Sequence, residues 1–485
     1  MVSAKMVHSE GQIMLIGRDQ EQRKLREAYQ AEESQFIAVY GRRRVGKTYL
    51  IRESFGSGFT FQHTGYYGGK LSDELFEFCA SLREYGLTDF ERPRNWLEAF
   101  ELLKDLIRGS KGEKKVIFLD ELSWMDTRGS DFIMALEGFW NSWASARKDI
   151  LLIVCGSVTS WMLSKIIHNK GGLYNRLSCR IHLQPFTLKE CEEYIKSKKI
   201  VMNRHQILES YMIMGGIPYY WSFLEKGLSL AQNIDRLFFS NDAPLKQEFD
   251  YLYSALFKRP EPYLEIVSAL GKKKTGMTRE ELLKVTHSTD SGNFSTRLEE
   301  LESCGFIRKY RRYGMKERNS NYQLIDNYTL FYFKFLDDRP TDEHYWSNQI
   351  NTPKVNAWCG LAFEMVCLEH VPQIKNALGI SGVLTEAYSW ICKEDSEKGI
   401  HGSQIDLVIA RKDQVIDLCE MKFSVKMFSI TEKIDESIRR KASDFLLSTG
   451  AKYAIHTILV TPYGVADRSY VGSIQKVITT EDLFS

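Results

Sequence analysis

At 485 residues the chain is longer than one hydrophobic core sustains, and two to four domains are expected. Its 65 Lys and Arg stand against 63 Asp and Glu, a formal charge of +2. That excludes a uniformly basic nucleic-acid binder and confines any such surface to a local patch. The nine cysteines form no CxxC pair and sit mostly in apolar runs, a pattern of reduced core thiols rather than of disulfides or zinc ligands. The opening stretch MVSAKMVHSEGQIMLIGRDQ lacks the apolar core of a signal peptide, and no run approaches the ~18 apolar residues of a membrane span. A cytoplasmic protein with no membrane partner is expected.

Residues 1–240 alternate short apolar runs with helix-period segments, the pattern of a parallel α/β sheet. The runs FIAVY (36–40), KVIFLD (115–120) and LLIVCGS (151–157) read as buried strands, with RIHLQPF (180–186) a fourth. After the first strand comes Gly41-x-x-x-x-Gly46-Lys47-Thr48, the complete phosphate-loop pattern in its required strand–loop–helix setting. Its glycines let backbone N–H groups converge on phosphate oxygens at a helix N-terminus. Lys47 is expected to reach the outer phosphates of ATP and Thr48 to ligate Mg²⁺. Arg44, Val45 and Tyr49 complete the expected nucleotide contacts. The targets of Arg42–Arg44 stay open between raised potential around the triphosphate and a solvated loop face.

The second strand runs into Asp120-Glu121, so both carboxylates emerge at its C-terminal end. Asp120 is expected to hold Mg²⁺ and Glu121 to orient or deprotonate the attacking water; an acidic helix cap is the plainer alternative. Ser157, at the end of the next strand, is a candidate sensor of the terminal phosphate, or else the cap of the helix that follows. These residues resemble the AAA+ ATPases, in the branch near the signalling ATPases with numerous domains, over about residues 14–240. The resemblance implies that Gly17 and Arg18 of LIGRDQEQRKL lie near the adenine. It also implies that Arg176 of GGLYNRLSCR, with Arg180 nearby, occupies the region of an arginine finger, and that MGGIPYY belongs to a helical lid. An arginine finger implies self-association or a partner that completes the site.

Residues 258–336 change character: helix, turn, a second helix starting near Ser291, then the basic hairpin FIRKYRRYGMKERNSNYQLID. That is the order of a winged helix. Arg297 on the second helix and Arg308, Lys309, Arg311 and Arg312 of the hairpin, with Lys316 and Arg318 beyond them, are candidate DNA contacts. A structural wing that touches no DNA is the alternative. The Pro- and Asp-rich stretch 337–356 reads as a linker.

In the last part, GSQIDLVIARKDQVIDLCEMKFS places Asp406 in one apolar strand and Glu420-Met421-Lys422 in the next. Alternation puts Glu420 and Lys422 on one face, and a short turn brings Asp406 alongside. Burying such charges without a purpose is costly. A divalent cation across Asp406 and Glu420 offsets the repulsion, with Lys422 placing a water. The arrangement resembles the PD-(D/E)xK nucleases, which implies Mg²⁺ or Mn²⁺ and a further Glu from an upstream helix. Glu364 of WCGLAFEMVCLEH is the candidate and Glu369 the weaker one. Gln404 shares the Asp406 face, and His401 reads as a solvated loop residue.

The expected fold class is therefore α/β. It comprises a P-loop AAA+ ATPase of parallel sheet (1–190) plus helical lid (191–257), a winged helix (258–336), a linker (337–356) and a C-terminal α/β restriction-endonuclease-like domain (357–485). The expected function couples ATP hydrolysis to DNA binding and metal-dependent cleavage. The alternative is a signalling or scaffold ATPase whose nuclease-like domain only binds DNA or a protein.

Overall fold

The computed structural model describes residues 15–257, 259–466 and 471–485, and the chain divides into one unit ending at Gln184 and another running from Pro185 to Ser485. The leaderless opening expected for residues 1–14, and the side chain of Arg318, fall outside what is described. Among the described residues no helix is long and apolar enough to cross a membrane.

The first unit is built on strands β1 (Gln35–Tyr40), β2 (Phe59–Thr64), β3 (Lys115–Asp120), β4 (Ile150–Gly156) and β5 (Cys179–His182). All five run parallel in the order β2-β3-β4-β1-β5. Every residue of β3 and β4 is buried, as expected of central strands covered on both faces. Helices Leu71–Glu84, Trp96–Gly109 and Phe132–Ser142 pack Phe78, Trp96, Phe100 and Phe139 over Phe61, Ile117 and Leu152. The expected strand over 180–186 ends at His182, where the chain turns back toward the loop after β1. This strand order sets the C-terminal ends of β1, β3 and β4 side by side, where an open parallel sheet holds its ligand.

The second unit opens with helices. Leu188–Ser197 and Arg204–Met214 start at the capping boxes of Thr187 and Asn203. Gly216, in the MGGIPYY turn, lies so close to the Phe186 carbonyl that a Cβ would sit 1.9 Å from its oxygen. Next comes a small antiparallel sheet of β6 (Met277–Thr278), β7 (Ile307–Tyr310) and β8 (Asn321–Leu324), in the order β6-β8-β7. Helices Glu261–Gly271, Arg279–Val285 and Gly292–Ser303 accompany it. The stretch 337–356, expected as a linker, is anchored: Trp346 is buried against Phe331, Phe335 and Trp358, and the Asp235 carboxylate caps the N–H groups of Trp346 and Ser347.

The last sheet contains β9 (Thr385–Asp395), β10 (Ile400–Arg411), β11 (Val415–Met421), β12 (Ala454–Val460) and β13 (Lys476–Ile478), in the order β13-β12-β11-β10-β9. Its β9-β10-β11 half is antiparallel and its β11-β12-β13 half parallel. Helix Glu432–Thr449 covers one face through Phe445, packed on Trp390, Val408, Ile416 and Leu418. Helix Pro353–Glu369, started by Pro353 and capped by Thr352, packs against β11.

Candidate functional site

In the first unit the loop after β1 closes on itself. Gly41 takes φ +143° because a Cβ there would meet the Leu183 carbonyl oxygen at 2.3 Å, and Gly46 takes φ +90° just before the helix Lys47–Phe55. The buried Lys47 ammonium donates to the carbonyls of Gly41 and Arg42, each at 2.9 Å. Thr48 Oγ1 donates to Asp120 Oδ2 at 2.6 Å, joining this helix to the end of β3. The Arg44 backbone lies at φ +71° within the loop, Val45 is buried, and Tyr49 is exposed on the helix. Arg18, at φ +62°, donates to the Val45 carbonyl at 3.5 Å, and Gln22 donates to the Gly17 carbonyl, so the segment before the first helix lies against the loop.

Glu121 follows Asp120 at φ +50°. Its carboxylate accepts from the Ser157 N–H at 3.1 Å and the Ser157 hydroxyl at 2.5 Å, which ties the ends of β3 and β4 together. Burial, and then the neighbouring Asp120, push Glu121 above the usual carboxylate range, while Ser157 pulls against them. Thus Gly41, Gly46, Lys47, Thr48, Asp120, Glu121 and Ser157 converge at one edge of the sheet. Among the described residues Arg176 does not join them through any hydrogen bond or ion pair; it lies exposed on a turn, its N–H bonded to the Leu173 carbonyl. A helix N-terminus, an ammonium and a hydroxyl–carboxylate pair of hard oxygen donors suit a phosphate-bound Mg²⁺.

In the second unit Leu407 pairs with Cys419, so Asp406 and Glu420 fall across from each other on β10 and β11, beside a register shift between Ile405 and Val408. Lys422 Nζ lies 2.7 Å from Glu420 Oε1, and Gln404 Nε2 donates to Asp406 Oδ1 at 2.6 Å. Glu364 comes from the helix Pro353–Glu369, near enough to Asp406 and Lys422 for each to act on its charge. Two further ammonium groups enter. Lys441, from helix Glu432–Thr449, donates to both Glu420 oxygens at 2.9 and 2.7 Å. Lys274, from the turn before β6, donates to Glu364 Oε1 at 2.7 Å. Three carboxylates are thus balanced by three lysines.

Burial pushes Glu364 up to about 7, helped by Asp406 and opposed by Lys274. Burial also pushes Glu420 upward, but Lys441 and Lys422 outweigh it, leaving its carboxyl below the usual range. Among the described residues no group of three or more His, Cys, Asp or Glu side chains stands close enough to hold a metal ion. The oxygens are of the kind Mg²⁺ or Mn²⁺ takes, so a cation fits here only with displacement of a lysine.

Other expected residues go elsewhere. Glu369 accepts from Asn327 Nδ2, away from the cluster, because five helix positions turn it off the Glu364 face. His401 Nδ1 lies 3.3 Å from Asp444, not on Asp406. Among the described hairpin residues Arg311 pairs with Glu386 and stacks on Tyr388, Lys309 lies 3.8 Å from Glu317, and Arg308 is turned inward onto Gln323. Arg297, on the helix Gly292–Ser303, is half-buried. Sequence reasoning missed Lys274, which lies far along the chain from every carboxylate it meets. Lys441 is likewise unmarked in the sequence, since only the packing of its helix turns it onto Glu420.

The parallel sheet, the phosphate loop and the Thr48–Asp120 and Glu121–Ser157 pairs define a P-loop ATPase. In agreement, residues 15–222 match the family described as an ATPase domain predominantly from Archaea. Along nearly its whole length the chain resembles an uncharacterized protein of Methanocaldococcus jannaschii, 24% identical over 455 residues, covering 91% of this chain and 94% of the relative. Similar solved structures include the Walker-type ATPase of Pyrococcus abyssi, 17% identical, covering 65% of this chain and 95% of that one at a TM-score of 0.45. Another is the ORC2 protein of Aeropyrum pernix in its ADPNP–ADP complexes, 14% identical, covering 75% and 98% at a TM-score of 0.43.

Proposed function

We propose that this ATPase is a nucleotide-driven switch acting on DNA, with a second, metal-dependent phosphodiester-cleaving centre at Glu364, Asp406, Glu420 and Lys422. In the first centre Lys47 and the loop amides bind the phosphates of ATP, Thr48 and Asp120 hold Mg²⁺, and Glu121, oriented by Ser157, accepts the proton of the attacking water. Held by Thr48 and Asp120, a bound Mg²⁺ would supply neutralisation of the charge on the phosphates. Gly17 and Arg18 border the base, and Arg176, exposed on its turn, is available to a neighbouring subunit's nucleotide.

In the second centre Asp406 and Glu420 supply the principal cation ligands, with Glu364 a third. The cation would polarise a phosphodiester and lower the pKa of a bound water. Lys422, held by Glu420, is placed to orient that water. The segment 258–336, with its helices and three-stranded sheet, is read as a winged helix and 357–485 as a restriction-endonuclease-like domain. The observation that carries this reading is that two strand carboxylates, a helix carboxylate and Lys422 lie within electrostatic reach of one another, where apolar strands would otherwise exclude them.

One observation favours the second reading, a domain that binds DNA or a protein without cutting. Glu364 and Glu420 already carry protein ammonium partners. Cleavage of plasmid DNA in Mn²⁺ by wild type, Glu420→Ala and Lys422→Ala separates the two. Cleavage lost by at least ~100-fold in both variants supports the nuclease; no cleavage by wild type supports the binding module.

A further inference from the structure

The turn after β7 is fastened to the C-terminal sheet by main-chain bonds: Tyr313 N–H donates to the Ser389 carbonyl at 2.8 Å, and Ser389 N–H to the Arg311 carbonyl at 3.2 Å. Beside this seam lies a cleft of about 300 Å³, counting its solvent mouth. Arg308, Arg312 and Gln323 line one wall; Ser389, Gln404 and Asp406 line the other.

Arg308 is held by several neutral contacts and, among the described residues, by no salt bridge. Its Nε donates to Gln323 Oε1 at 2.8 Å, and Gln323 is itself fixed by donating to the Lys274 carbonyl at 2.7 Å. The guanidinium lies 4.6 Å from the centre of the Tyr310 ring, whose hydroxyl is tied to the Thr275 carbonyl. Among the described residues no carboxylate comes within ion-pairing distance of it. Asp406 faces it across the cleft, held by Gln404. Burial pulls the Arg308 pKa down, so its charge is kept at a cost. A half-buried guanidinium with its outer N–H fork unspent suits a phosphate, which the fork meets with two parallel bonds. The neighbouring cations are less suited to hold one, because Arg311 and Lys309 face carboxylates of their own.

We propose that this cleft seats a phosphodiester of a DNA strand on Arg308, with Arg312 at its rim, and so lays the strand against the Asp406–Glu420 carboxylates. The inference deepens the DNA reading above and rests on it. It makes the small three-stranded sheet a substrate-positioning wall of the C-terminal centre, in place of an outward-facing wing.

The test is fluorescence anisotropy of a labelled single-stranded 15-mer with the full chain in EDTA, titrated across NaCl concentrations. Arg308→Gln is expected to weaken binding about tenfold and to lower the salt slope by about one. Arg308→Lys should fall between it and wild type, because it restores the charge without the fork. Arg312→Gln, changed at the rim, guards against a misfolded Arg308 variant and should weaken binding in the same sense. Far-UV circular dichroism and thermal unfolding matching wild type show that each variant is folded. Strands with a 5′-phosphate and a 5′-hydroxyl distinguish an end phosphate from an internal one, and either preference, if lost in Arg308→Gln, supports the seat. Unchanged affinity and slope in Arg308→Gln and Arg312→Gln, or no DNA binding by wild type, would overturn it. Arg308-dependent binding without Mn²⁺ cleavage refutes only the nuclease; cleavage with Arg308-independent binding refutes only the seat.

Discussion

Replacing Gly41 with alanine would place a Cβ 2.3 Å from the Leu183 carbonyl oxygen, whereas at Gly46 the nearest atom is Tyr49 Cβ at 4.0 Å. Both glycines lie at positive φ, +143° and +90°, so alanine at either carries a backbone cost of about 1–2 kcal/mol. At Gly46 that cost is the whole effect. At Gly41 the chain after β5 must also retreat from the new methyl. That strains the bond from Leu183 N–H to the Tyr40 carbonyl, 2.8 Å long, worth about 1 kcal/mol, and overpacks a tight contact at about 1–3 kcal/mol more. The expected destabilisation is therefore ~3–6 kcal/mol for Gly41→Ala against ~1–2 kcal/mol for Gly46→Ala. Urea unfolding of the full chain measures the stability of each variant, and binding of a fluorescent ATP analogue reads the site. Gly41→Ala should lose nucleotide affinity along with stability, since the Gly41 carbonyl receives the Lys47 ammonium. Equal stability in the two variants would refute the argument that the close approach of Leu183, rather than φ alone, fixes the first glycine.

Glu121→Gln should still bind ATP but hydrolyse it ~10²–10⁴-fold more slowly, which turnover measured beside analogue binding would show; retained turnover would remove Glu121 from the base role. Lys274→Ala frees Glu364 of its partner and should tighten Mn²⁺ binding about tenfold, ~1.4 kcal/mol, by calorimetry; an unchanged Kd would mean that the pair does not compete with the cation. The buried His370 accepts the Leu188 N–H on Nε2 and contacts the Val366 carbonyl through Nδ1, and burial lowers its pKa from 6.5 to about 4. The folded state therefore keeps it neutral while the unfolded chain takes a proton below pH 6.5, so stability is full above 6.5 and falls as pH drops toward 4. At ~1.4 kcal/mol per pH unit the loss is about 3 kcal/mol, and the stability gap between wild type and His370→Gln should shrink by that amount from pH 7 to 4. A gap independent of pH would contradict it.

The first centre was largely legible because its signals are local. A phosphate loop, an apolar run ending in Asp-Glu and a strand ending in Gly156-Ser157 each carry their position within a few residues, and a parallel sheet aligns strand ends. What the sequence did not show is that Ser157 bonds Glu121, since that depends on β4 lying beside β3. In the C-terminal centre the period-2 rule placed Glu420 and Lys422 together, yet the register shift near Asp406 and the arrival of Lys274 and Lys441 are properties of packing. In the hairpin, too, packing decides what the sequence leaves open. Its string of basic residues reads as one charged face, but strand alternation turns Arg308 inward, while Arg311 meets Glu386, which the sequence places far away.

The proposed coupling of a nucleotide switch to a DNA-cutting centre is tested most directly by following nicking of supercoiled plasmid in Mn²⁺ with ATP, with ADP and with neither. Wild type should nick at rates differing at least about tenfold between the ATP and ADP states, a coupling of ~1.4 kcal/mol, and Lys47→Ala should abolish the difference while leaving a basal rate. Nicking by wild type that is identical in all three conditions, or that varies with nucleotide equally in Lys47→Ala, would contradict it.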